Sequence, residues 1–130
     1  MNSNGKGPIS AEWMIPKALW IFENEPETWR KAKFICEKQD YLNYKLTGRM
    51  CSSGCNAAAR WHWDASLATS KSLTADNPYP GRPVSLLKAI GLEELLDKWP
   101  QECVAMGEKV GELSIQGQGQ RMLSLFKNTT

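Results

Sequence analysis

Excess charge of either sign is missing from this chain. Its 16 basic and 14 acidic residues nearly cancel, and a net charge of +2 implies no polyanionic partner, so nucleic acid is not expected. Histidine occurs once, as His62. No apolar run approaches the ~20 residues that a membrane-spanning helix needs, so no membrane association is expected. No internal repeat is visible. The opening MNSNGKG is polar and resembles neither a secretory leader nor an Arg- and Ser-rich transit peptide. The four cysteines, Cys36, Cys51, Cys55 and Cys103, therefore read as reduced thiols of a cytoplasmic protein. A chloroplast location would require a further amino-terminal extension.

Motifs for metals and phosphates are also scarce. Cys51, Cys55 and His62 fall one ligand short of a structural zinc site, and Cys36 and Cys103 sit in apolar contexts. Buried free thiols and no metal are the expectation. His62 has a pKa suited to a general base, but no nucleophile pair stands beside it, so it reads as a packed or surface histidine. Gly117 and Gly119 form GxGxxR rather than GxGxxG, without a strand-and-helix frame, so phosphate binding there is not expected.

What is present suits one domain with a modest core. The six tryptophans read mainly as packing anchors. The organising stretch is FICEKQDYLNYKLTG, residues 34–48. Its apolar start, Phe34-Ile35-Cys36, predicts a strand covered on both faces. Asp40 to Thr47 predicts a helix with Tyr41, Leu42 and Leu46 on one face, Asp40 in its first turn and Gly48 as its stop. Around this unit we expect a helix from Pro16 to Asn24 preceded by a Ser10 cap, and a second helix from Pro26. Cys51 to Gly54 reads as a turn, Asn56 to Arg60 as helical, and Trp61 to Asp64 as extended. A long loop runs from Ser66 to Pro83. Helices are expected after Pro83 and over Leu92–Trp99, then an extended segment at Val110–Ile115. The fold class expected is α/β, rich in helix.

The same stretch carries a resemblance. Asp40-Tyr41-Leu42, Tyr44 and Leu46-Thr47-Gly48 are similar to the KDYLxYxLTG segment of the FGGY carbohydrate kinases. Ser10-Ala11-Glu12 with Pro16-Lys17-Ala18-Leu19-Trp20 resembles that family's SxE…PKxLW segment. Ile90-Gly91-Leu92 and Val110-Gly111-Glu112-Leu113 resemble its IGL and IGEL segments, in the same order. The stretch CSSGCNAAARWHW, residues 51–63, looks most like the D-ribulose kinase branch.

The resemblance implies a partial ribonuclease-H-like, amino-terminal substrate domain over 10–114, with a flexible lead at 1–9 and a divergent tail at 115–130. It implies a family activity of ATP-dependent sugar phosphorylation, here most like D-ribulose to D-ribulose 5-phosphate, with ATP and Mg as cofactors of the full-length family. The family's catalytic Asp segment, phosphate loop and nucleotide domain have no counterpart here. No catalytic, cofactor-binding or metal residue is therefore assigned in this chain, and it is not expected to phosphorylate a pentulose alone. Sugar contacts are what remain. Glu12 and Trp13, just before the PKxLW match, would supply a carboxylate for hydroxyls and an indole for a carbon face. Asn56 and Arg60 are further candidates, while Asp40 reads as a capping and packing residue. A second reading is a non-catalytic sugar-binding or interaction module that pairs with the missing kinase segments. Either way, unpaired strand edges and uncovered apolar surface predict a marginal, aggregation-prone monomer.

Overall fold

A computed structural model describes residues 10–68 and 78–113. Among them the elements run α1 (Met14–Asn24), α2 (Pro26–Lys31), α3 (Lys38–Thr47), β1 (Ser52–Ser53), α4 (Gly54–Arg60), α5 (Ala65–Ala68), α6 (Val84–Ala89), α7 (Leu95–Lys98) and β2 (Cys103–Val104). The two strands pair in parallel, Ser52 opposite Cys103 and Ser53 opposite Val104. The chain is therefore a mixture of helices with a small sheet, compatible with an α/β fragment.

The core is built by aromatics and leucines. Trp61 and Trp99 are almost fully buried, with ring centroids 4.6 Å apart. Leu87, Leu92, Leu95 and Leu96 join them, and Ile15 and Ala18 of α1, Trp29 of α2 and Ala57 of α4 complete the cluster. Each large side chain withdrawn from water contributes about 1.5–3 kcal/mol, so this cluster is the main stabilising mass. Not every tryptophan anchors: Trp20, on the outer side of α1, stays 56% exposed.

Several helix boundaries follow local chemistry. Helix α1 starts at Met14, two residues before the expected start. Pro16 thus falls within the first turn, where its missing N–H would have had no helical acceptor. Glu12 consequently lies ahead of the helix, its N–H donating to Ser10 Oγ at 3.1 Å. Gly48 ends α3 at φ 78° and Gly91 follows α6 at φ 71°, left-handed conformations that cost glycine little. Between Leu92 and Trp99 only Leu95–Lys98 is helical.

The strand expected at Phe34-Ile35-Cys36 does not form. The segment is extended coil, half-buried, and Ile35 N–H donates to the Lys98 carbonyl at 2.9 Å. A run of three apolar residues has the right propensity, but propensity cannot supply a partner strand. The sheet arises instead from Ser52-Ser53, where a turn was expected. Trp61 to Asp64 is not a strand either, because His62 takes φ 56°, a left-handed conformation that breaks extended geometry. Val110 to Leu113 is irregular, and the rest of that expected segment lies outside the described residues, as do the 1–9 lead, the whole 115–130 tail and positions 69–77 of the expected Ser66–Pro83 loop, whose start is instead helical in α5.

The sheet depends on a close approach. A Cβ built on Gly54 would sit 3.0 Å from the Val104 carbonyl oxygen, a backbone atom held in the strand pair. Gly54→Ala should therefore push α4 from β2 and lower stability by about 1–2 kcal/mol, despite alanine's better helix propensity. A urea midpoint equal to or above that of the parent would contradict this.

Candidate functional site

Residues that follow the two strands line one cleft of ≈ 380 Å³, at the carboxyl ends of β1 and β2. Open α/β sheets commonly receive ligands at that end. Gln39 and Asn43 come from α3, Ser52, Ser53 and Asn56 from β1 and α4, and Ala105 to Glu108 from the turn after β2. Thiols of Cys51 and Cys55 complete one wall. Three carboxamides and the Ser53 hydroxyl offer donors and acceptors without charge, while Ser52 is 3% exposed and its hydroxyl bonds Asp40. Among the described residues no Lys or Arg lines the cleft, and Glu108 is the one carboxylate.

The floor is held by Asp40, which is 1% exposed. Its Oδ1 accepts the Ser53 N–H at 2.9 Å and its Oδ2 the Glu37 N–H at 3.2 Å. The second bond is half of a capping box at the start of α3, and the first ties that helix to β1. Burial raises the Asp40 pKa, and the two N–H donors partly offset this. Asp40 is thus a capping and packing residue, as its position in the sequence suggests.

Helix α4 brings two of the expected site residues to one face. Asn56 and Arg60 are four residues apart and so lie one above the other. Asn56 Nδ2 donates to Gln39 Oε1 at 3.0 Å, and Arg60 Nη1 to Glu37 Oε2 at 3.3 Å. These two rungs join α4 to the start of α3. Arg60 Nη2 also donates to the Glu12 carbonyl at 3.2 Å, which draws the Glu12-Trp13 segment to the same edge. Asn56 borders the cleft; Glu12, Trp13 and Arg60 gather around the far end of α4 and do not line it. Arg60 thus pairs with a protein carboxylate.

At that far end the polar atoms are already engaged. Glu12 accepts Lys17 Nζ at 2.8 Å, and this hydrogen bond, with the lysine charge, lowers its pKa. The Trp13 ring meets His62 edge-on, centroids 5.1 Å apart. Burial lowers the His62 pKa, favouring a neutral imidazole. The indole of Trp13 is only half-buried, leaving part of it accessible.

Glu37, the hub of this arrangement, escaped sequence reading. It is 7% exposed and accepts Trp61 Nε1 at 3.1 Å as well as Arg60. The spacing of Glu37 and Asp40, three apart at a helix start, was the available signal. Gln39 and Asn43 carried none, since their role depends on where α4 lies. The thiols differ from the expectation too: Cys51 is buried, Cys36 and Cys103 are half-buried, and Cys55 is exposed. Among the described residues no three His, Cys, Asp or Glu side chains gather as a metal site requires. No helix there is long and apolar enough to cross a membrane.

Comparison with known proteins gives the chain relatives. It is 32% identical over 92 residues to an FGGY carbohydrate kinase domain-containing protein of Danio rerio, covering 70% of this chain and 14% of that protein. It is 29% identical over 130 residues to the ribulokinase of Shouchella clausii, covering 87% and 23%. A ribulokinase of Staphylococcus epidermidis is 38% identical over 56 residues, covering 43% and 10%. The chain thus spans between 10% and 23% of the length of these relatives. No family profile matches it. No solved structure matches it either. The chain is a partial match to the FGGY carbohydrate kinases, similar to ribulokinases, and the ribonuclease-H-like fold stays an expectation.

Proposed function

We propose, from this partial FGGY match, that the chain is the sugar-handling portion of a carbohydrate kinase of ribulokinase type, and that its ligand is a pentulose, most like D-ribulose. The observation that carries the reading is the amide-rich cleft at the strand ends, with Glu108 as the one carboxylate among its described lining residues and Asn56 on its rim. A pentulose is neutral and presents a row of hydroxyls, each able to donate and accept. Carboxamides of Gln39, Asn43 and Asn56 and the hydroxyl of Ser53 match that chemistry without the desolvation cost of burying charge. The half-buried Trp13 indole would offer an apolar face to carbon-bound hydrogens, beside the Glu12 carboxylate.

Phosphoryl transfer needs more than this. A carboxylate must take the sugar hydroxyl's proton, and ATP with Mg must be held by cationic, glycine-rich and acidic groups. The described residues do not fit that requirement: the cleft has one carboxylate, Glu108, and no basic residue. We assign no catalytic, nucleotide or metal residue among the described residues, and the overall reaction, D-ribulose to D-ribulose 5-phosphate, to a longer assembly in which this chain is one part. Exposed Tyr41, Leu42 and Tyr44 on α3 favour that pairing over independent work.

Two measurements on the purified chain test the reading. A coupled ADP-release assay with D-ribulose and MgATP should give no turnover above buffer. Saturation-transfer NMR with millimolar D-ribulose should show ligand signals, weakened in Asn56→Ala. Measurable turnover would overturn the non-catalytic assignment, and absence of any ribulose signal would overturn the sugar reading.

A further inference from the structure

One buried cation is left without an anion among the described residues. Arg82 precedes α6 and is 8% exposed. Its guanidinium lies 5.5 Å from the Tyr79 ring centroid and 5.2 Å from that of Trp99. Nη1 donates to Gln101 Oε1 at 3.0 Å, and Nη2 to the Pro100 carbonyl at 2.9 Å. Both acceptors are neutral, and no described carboxylate forms an ion pair with it. Arg82 Nε and Trp99 Nε1, on the two residues of this guanidinium–indole contact, are buried N–H groups without an acceptor.

The titratable groups around Arg82 do not neutralise it. Cys103 is pushed up to about 11 by burial, so its thiol is uncharged at pH 7. Tyr79 donates its hydroxyl to Asp97 at 2.6 Å, which raises the phenol pKa and keeps it neutral as well. Asp97 favours the charged guanidinium but is turned to Tyr79.

A buried cation with only neutral acceptors is costly, and buried donors without partners call for a missing ion or water. A water would take up an N–H but bring no charge; an oxyanion supplies both needs. We infer that Arg82 and Trp99 form a binding position for a small oxyanion of the phosphate class. Arg82 grips two oxygens side-on through Nε–H and a spare Nη–H, the paired geometry that suits guanidinium, and the Trp99 indole N–H reaches a third contact. Tyr79 also lines a surface groove of ≈ 730 Å³ with Leu96 and Asp97, so the position lies one ring behind that surface. The groove carries three carboxylates, Glu93, Glu94 and Asp97, against one lysine, Lys88, which lies 3.9 Å from Glu93, so its described lining is net negative and disfavours an anion in the groove itself. Entry requires the Tyr79 ring to swing. The position is separate from the amide-lined cleft and independent of the sugar reading.

The probe is inorganic phosphate, titrated into the full chain at pH 7 against sodium chloride of equal ionic strength. The ³¹P line should broaden saturably and the unfolding midpoint should rise with phosphate. Trp99→Phe keeps an aromatic ring and removes the indole N–H; Arg82→Lys keeps the charge and removes Nε–H. Each should weaken phosphate binding about tenfold or more, since each deletes a directed charge-assisted or buried donor. Near-UV circular dichroism checks that each variant is folded, and if the lysine variant is not, Trp99→Phe decides. No saturable effect in the parent, or a phenylalanine variant that binds phosphate as well as the parent, overturns the proposal.

Discussion

Trp61→Ala should abolish the cooperative unfolding transition of this chain at room temperature. Trp61 is 1% exposed and packs against Trp99 at 4.6 Å. Deleting a buried indole costs about 3–5 kcal/mol through lost transfer energy and the cavity left behind. A further loss comes from polar chemistry. Trp61 Nε1 donates to Glu37, a carboxylate that is itself only 7% exposed. Without the indole, Glu37 keeps Arg60 at 3.3 Å and the Asp40 N–H of the capping box but loses one of its buried donors, and losing a hydrogen bond to a charged group costs about 1.5–3 kcal/mol. The total approaches the ~5–15 kcal/mol that holds an ordinary domain together. Trp61→Phe separates the two contributions, because it restores much of the ring but not the N–H. Urea titration followed by near-UV circular dichroism should show no transition for alanine and a lowered midpoint for phenylalanine. An alanine variant within about 1 kcal/mol of the parent would mean that this tryptophan pair is not the centre of the core.

The second large effect is expected at Asp40. Asp40→Ala leaves the Ser53 and Glu37 N–H groups without their acceptor, in a position with almost no access to water. At about 1–3 kcal/mol for each buried donor, less the relief of a buried charge, the net loss should be about 2–4 kcal/mol. Because one of those bonds ties α3 to β1, the cleft should loosen along with the helix. Asp40→Asn keeps one acceptor oxygen and should cost roughly half as much.

The pH dependence gives an independent check on Asp40. Its folded-state pKa is raised above the ordinary 3.8 by burial. The folded state therefore binds this proton more readily than the unfolded chain. The associated stability is fully present below about 3.8 and is lost as pH rises through the raised folded value. Glu12 and Asp64, whose pKa values are lowered by Lys17 and Ser66, act in the opposite direction, as exposed groups with small effects. The difference between parent and Asp40→Asn isolates Asp40. The parent's stability relative to the asparagine variant should fall as pH rises through that window and then level off. A relative gain with rising pH would show that Asp40 serves as a favourable buried anion instead.

Much of this protein is local in origin, and the sequence alone determined it. The helix of Asp40 to Thr47, its acidic first turn and its Gly48 stop follow from short-range rules: a carboxylate at the positive end and a residue free to take φ 78°. The helix after Pro83 and the role of Asp40 were legible for the same reason, and the ordered FGGY-like segments pointed to the relatives later found. Long-range pairing was decided by the tertiary structure. Phe34-Ile35-Cys36 had the composition of a strand, yet Ser52-Ser53 took that role, because Gly54 allows Val104 to approach and Asp40 holds the Ser53 N–H. Tyr41 and Leu42 read as a packing face but stand 54% and 48% exposed, since no described element lies over them. Glu37, Gln39 and Asn43 became site residues only when α4 was set beside α3, across 17 residues from Gln39 to Asn56 and 23 from Glu37 to Arg60. Capping and turn preferences act within a few residues and leave a mark in composition, whereas a contact across a chain reversal is set by the packing of Trp61 and Trp99 and leaves none.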